Sequence, residues 1–120
     1  MTRILLVEDE APLRETLAAA VLLASGWDGR SPLLDPFCGS GTILIEAAMI
    51  GRNMAPGLDR SFDAEKWSSI PSEVWSSERI KARNAIDFSS QLKLLGCDTD
   101  KRSILRARDN AANLGLEDDI

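Results

Sequence analysis

The residues whose types and spacing could do chemistry lie mainly in one stretch, Asp35-Pro36-Phe37-Cys38-Gly39-Ser40-Gly41-Thr42. An apolar pair, Leu33-Leu34, ends in an acid, breaks into a glycine-rich turn and passes at once into a helix-like pattern. Two glycines one residue apart let the backbone turn sharply and approach a ligand closely. The first N–H groups of the following helix would point into that turn, where an anionic group is favoured. The implied chemistry is ligand binding by main chain and carboxylate. Phosphate-binding patterns fit poorly, because a nucleotide P-loop needs four residues between its glycines and a Lys-Ser or Lys-Thr pair afterwards. Here a single residue separates them and Thr-Ile follows. The dinucleotide fingerprint needs a third glycine where Leu44 stands. The bland alternative is a glycine turn that binds nothing.

The elements that must position this loop are legible around it. Leu33 to Phe37, entered through the breaker Ser31-Pro32, reads as a short buried strand, and Ile43, Leu44, Ala47, Ala48 and Ile50 recur at helical spacing. Arg3 to Val7 reads as another buried strand, closing in the acids Glu8-Asp9-Glu10. Ala11 to Ser25 carries proline at a helix start and glycine just past its end, with Leu13, Leu17, Ala20, Val21 and Ala24 on one face. Leu92 to Cys97 is a third strand, followed by a helix from about Lys101 to Gly115 with Ile104, Arg108, Ala111 and Leu114 along one side. Asp100 is placed to cap that helix. Residues 53–90 form a polar insert whose Trp67 and Trp75 are expected to pack back onto the body, and Arg52 and Arg60 are expected on a solvated loop. Strands alternating with helices predict an α/β fold with an open parallel sheet of about three strands and flanking helices.

Composition bounds the rest. The 120 residues are ordinary for one small globular domain, 44% apolar and 28% charged, and the net charge of −5 argues against this stretch wrapping nucleic acid by itself. No apolar run reaches membrane-spanning length and no signal-peptide pattern opens the chain, so a cytoplasmic location is expected. Cys38 and Cys97 suit two reduced thiols. With no histidine in the chain, no metal site is expected.

The loop Asp35 to Thr42 resembles the adenosylmethionine-binding loop of Rossmann-like nucleic-acid methyltransferases. Ala11 to Ala20, Ser25-Gly26-Trp27, Ile45-Glu46-Ala47-Ala48, Asn53-Met54-Ala55-Pro56-Gly57, the tryptophan-bearing insert and Gly96-Cys97-Asp98-Thr99-Asp100 extend the resemblance over about 110 residues. The family it points to is the THUMP-type large-subunit ribosomal RNA guanine methyltransferases. Residues 1–10 instead resemble the first strand of bacterial response regulator receivers, without a phospho-accepting aspartate after a third strand. The chain is therefore expected to be a chimera or fragment, a receiver-like strand at 1–10 joined to a truncated methyltransferase subdomain at 11–120.

The resemblance implies a three-layer Rossmann-like fold and S-adenosyl-L-methionine, or its demethylated product, as the ligand. It implies cofactor contacts from Asp35, Pro36, Phe37, Cys38, Gly39, Ser40, Gly41 and Thr42. For Arg52 and Arg60 it implies an RNA-facing role as the alternative to a solvated loop. Asp98 would accept from both ribose hydroxyls, the geometry an acid after the second strand supplies in dinucleotide folds; the 57 positions between Gly41 and Asp98 then require the insert to loop out. The family's base-holding Asn-Pro-Pro-aromatic motif and its THUMP domain do not occur in these residues. No catalytic residue is assigned, ribosomal RNA is expected as a partner only of the full-length parent, and turnover is left open. The leading expectation is a cofactor-binding fragment, against a working RNA methyltransferase and an engineered chimera that binds nothing. Open sheet edges also predict self-association.

Overall fold

The computed structural model describes residues 10–120. The strand expected at Arg3 to Val7 and the acids Glu8 and Asp9 lie outside them. The elements run α1 (Glu10–Ala24), β1 (Leu33–Asp35), α2 (Thr42–Gly51), a 3-10 turn (Asp63–Lys66), α3 (Ser72–Asn84), β2 (Leu94–Gly96) and α4 (Lys101–Asn113). They fall into two compact units, one formed by the chain up to Ala48 with Leu92–Ile120, the other by Met49–Gln91.

In the first unit β1 and β2 pair in parallel, with Leu33 opposite Leu94, Leu34 opposite Leu95 and Asp35 opposite Gly96. The described residues thus hold two strands, each shorter than the sequence suggested. Pro36 has no N–H to give the ladder, which explains why β1 stops at Asp35. Pairing nevertheless resumes beyond it, since Cys97 N donates to Asp35 O and Cys38 N to Cys97 O, both at 2.9 Å. This keeps the loop after β1 in contact with the end of β2. Upstream, Asp28 shapes the turn into β1 by accepting from Arg30 N, Ser31 N and Ser31 Oγ. Those bonds, the Ser31 amide first, hold its carboxyl at about 2.

The core of this unit is built from Ala18, Leu22, Cys38, Leu44, Ile45, Ala47, Ala48, Leu92, Leu94, Ala107, Ala111 and Leu116. It departs from the expected faces in two places. On α1 the buried residues are Ala18 and Leu22, while Leu17, Ala20, Val21 and Ala24 are exposed. The run Leu17 to Leu23 is apolar on every side of the helix, so its periodicity carries no phase. On α4 Ala107 and Ala111 are buried, Arg108 and Leu114 exposed. Small residues here let the helix come close. Leu34 and Leu95, paired neighbours, are each 59% exposed, so one face of the sheet is open.

The second unit is held by two arginines. Arg52 is buried, donates to Ser90 O at 2.6 Å and Asp87 O at 3.3 Å, and lies over the Phe88 ring. It fastens the start of the insert to its end, so the expected solvated loop cation is corrected to a buried structural one, which also removes Arg52 from the RNA-facing alternative. Arg79 on α3 donates to Leu58 O, Arg60 O and the Glu65 carboxylate. Glu65 in turn accepts from Phe62 N, which with Arg79 lowers its pKa. Trp75 stacks on Phe62 with ring centroids 6.4 Å apart. Trp67 does not pack as expected: it follows the 3-10 turn and is 61% exposed. The spacing of eight carried no information because the two rings do not share a helix.

Candidate functional site

The loop between β1 and α2 is fixed by hydrogen bonds at nearly every residue. Asp35 Oδ1 accepts from Phe37 N at 3.1 Å, and Gly41 N donates to Cys38 O at 2.8 Å. Gly39 and Gly41 both turn at positive φ, +54° and +84°. Gly41 also allows close packing, because a Cβ there would stand 3.0 Å from Ala107 Cβ. Ile45 N is bonded to Gly41 O at 2.9 Å. The preceding amides at the start of α2, those of Thr42, Ile43 and Leu44, have no intrahelical acceptor and are the donors a ligand can use.

Asp98 closes the site from the end of β2. Its Oδ2 accepts the amide of Gly39 at 2.9 Å and its Oδ1 the amide of Asp100 at 2.8 Å. These bonds, Asp100 first, lower its pKa, so it is ionised at neutral pH. A carboxylate has about four lone-pair positions, so Asp98 keeps acceptor capacity for a ligand's hydroxyl. Asp100 performs the expected capping of α4, accepting from Arg102 N at 3.1 Å and from Ser103 Oγ at 3.2 Å. Burial, then the Asp35 and Asp98 charges, push the Cys38 thiol up, which disfavours its thiolate and fits its place in the packed core.

The structure brings Asp35, Pro36, Phe37, Cys38, Gly39, Ser40, Gly41, Thr42 and Asp98 to one end of the parallel pair. Phe37 is 85% exposed at its rim, and Ser40 Oγ lies 3.4 Å from Thr42 Oγ1. One residue escaped the sequence reading: Asn110 on α4, whose Nδ2 donates to Ser40 O at 3.1 Å. Its signal was a weak helix former placed mid-helix with no local reason to be there. Among the described residues no cluster of three His, Cys, Asp or Glu side chains could hold a metal. No helix among them is long and apolar enough to cross a membrane.

Parallel strands joined through a glycine loop and helix, with an acid at the end of the second strand, define a Rossmann-like α/β domain of the methyltransferase type. The chain belongs to the RMKL-like methyltransferase domain family, whose model matches residues 5–120. The match begins inside the decapeptide that resembles a receiver strand. Ribosomal RNA large subunit methyltransferase K/L of Vibrio cholerae serotype O1 is 45% identical over 118 residues, covering 91% of this chain and 16% of the relative. YpsC of Bacillus subtilis strain 168, named provisionally as an RNA methyltransferase, is 43% identical over 108 residues, covering 90% of this chain and 28% of the relative. The chain thus spans well under a third of the length of these curated relatives. Among solved structures, SMU.472, described provisionally as a methyltransferase and complexed with SAH, superposes with a TM-score of 0.84 at 45% identity. That superposition covers 92% of this chain and 29% of the other. A protein of Clostridium difficile 630, described provisionally as a methylase, gives 0.82 at 50% identity, with 87% and 28% covered.

Proposed function

We propose that this chain binds S-adenosyl-L-methionine, or its demethylated product, as the cofactor-binding part of an RNA methyltransferase. The observation that carries the reading is the hydrogen bond from Gly39 N to Asp98 Oδ2, which fastens an ionised acid to the rim of the glycine loop. The residues present fit such a ligand. Nothing lies within 4 Å of where a Gly39 Cβ would stand, so the loop is open there. The amides of Thr42 and Ile43 suit the ligand's carboxylate, and the remaining acceptor capacity of Asp98 suits a ribose hydroxyl. When bound, the cofactor supplies an electrophilic methyl group on sulfur. The chain's own residues hold and orient it: the loop amides from one side, Asp98 from the other, with Phe37 as an apolar wall.

Ribosomal RNA is the substrate class we propose for the full-length parent, supported by the name of the Vibrio cholerae relative, and a cytoplasmic location is proposed with it. Binding without turnover is the expected behaviour of these 120 residues, since the sequence contains no Asn-Pro-Pro-aromatic motif to hold a base. Isothermal titration with S-adenosylhomocysteine tests the reading. Saturable heat at millimolar ligand or below supports it, and none refutes it.

The exposed pair Leu34 and Leu95 favours one addition. Parallel sheets are ordinarily covered on both faces, and this open face is proposed to drive self-association of the chain. Sedimentation velocity would show a concentration-dependent dimer, and a monomer at all concentrations would refute the addition.

A further inference from the structure

We propose that Asn110 is the positioning residue of the glycine loop, holding one peptide of the turn at the orientation that a bound ligand meets. The proposal rests on the ligand reading above.

Ser40 is flanked by glycines on both sides, so sterics leave the peptides around it free to rotate. Hydrogen bonds must set them instead. The peptide joining Ser40 to Gly41 is gripped at both ends, its carbonyl by Asn110 Nδ2 at 3.1 Å and its N–H by Cys38 O at 2.8 Å. The peptide joining Cys38 to Gly39 is gripped likewise, its carbonyl by Gly41 N and its N–H by Asp98 Oδ2. Only the peptide between these two, carrying the Ser40 N–H, is left to present its donor outward.

α4 therefore acts on the loop twice. Ala107 sets how closely the helix approaches Gly41. Asn110, one turn later and exposed, sets rotation rather than distance. Removing its amide should leave the packing intact and let the Ser40–Gly41 peptide rotate, so that a ligand must order it on binding. Preorganisation of this kind appears in affinity more than in stability.

The test compares the unaltered chain with Asn110→Ala, Asn110→Asp and Asn113→Ala, the last lying at the end of the same helix. Asn110→Asp keeps the size of the side chain while turning a donor into an acceptor. Affinity for S-adenosylhomocysteine and the urea midpoint are measured together with the Gly41 amide resonance, which belongs to the peptide Asn110 holds. Both Asn110 variants should bind about three- to tenfold more weakly, in line with the net worth of one neutral hydrogen bond. Their midpoints should stay near that of Asn113→Ala, and the Gly41 resonance should shift or broaden in them alone. Unchanged affinity in the Asn110 variants, or a loss matched by an equal loss of folded stability, overturns the proposal while leaving the ligand reading standing. If the unaltered chain itself takes no ligand, the ligand reading fails and the Gly41 resonance decides: moved in both Asn110 variants but not in the control, the positioning role holds; unmoved, it falls.

Discussion

Asp98 and Gly39, 59 positions apart, are joined by a hydrogen bond of 2.9 Å from the glycine amide to Oδ2. The contact ties the end of β2 to the loop after β1, and it makes Asp98 both a strut of the loop and the acid at its rim. Its neighbour Asp100 works differently, on the first amides of α4.

The two acids should therefore separate by mutation. Asp98→Ala removes the loop strut and the proposed ribose acceptor together, so ligand binding should fall below detection. Asp100→Ala should cost about 0.5–2 kcal/mol of folding stability, as lost caps do, and leave binding in place. Thermal melts with and without S-adenosylhomocysteine distinguish them. Loss of the ligand-induced shift in Asp100→Ala and its retention in Asp98→Ala would reverse the assignment.

Asp98 also sets a pH dependence. Its folded pKa is lowered from 3.8 by the amides of Asp100 and Gly39. The stability it contributes is then complete above 3.8 and is lost as pH falls through the lowered folded value. Urea midpoints of the unaltered chain and Asp98→Asn should differ at neutral pH and converge as pH drops below the ordinary carboxylate range. A gap that stays constant across that range contradicts this account.

Gly41→Ala should damage both fold and site. It places a methyl group 3.0 Å from Ala107 Cβ at a φ of +84°, and the left-handed conformation alone costs about 1–2 kcal/mol for a residue with a Cβ. A lowered urea midpoint together with weakened ligand binding is expected; a variant as stable as the parent would show that the loop has another conformation available.

In the second unit, Arg52→Ala should act on stability. It strips the buried guanidinium that donates to Ser90 O and Asp87 O, and hydrogen bonds made by a charged group are worth about 1.5–3 kcal/mol each when buried, less at these half-buried carbonyls. A drop in midpoint with unchanged affinity for S-adenosylhomocysteine is expected, and an unchanged midpoint would contradict the structural role.

The loop was readable because its signals are local: Gly39 and Gly41 mark the turn and Asp100 caps at the expected spacing, whereas the strand was carried past Pro36 to Phe37 and the part expected of Asp98 came from the family resemblance. Packing was less readable. The α1 stripe was lost in a run that is apolar all round, and Trp67 could not be told from Trp75 by spacing. Arg52 looked like a surface cation because its partners are main-chain carbonyls 35 and 38 residues away. Asn110 showed only as a weak helix former in mid-helix, and its partner could not be read because it is a carbonyl 70 residues distant. Main-chain acceptors carry no sequence signature.

The central claim, that the loop after β1 and the acid after β2 form one nucleoside-ligand site, is tested most directly by amide NMR during titration with S-adenosylhomocysteine. Shifts concentrated at Gly39, Ser40, Thr42, Ile43 and Asp98, saturating together, are expected. Spectra unchanged at millimolar ligand, or shifts confined to α3 and the rest of 49–91, would contradict it.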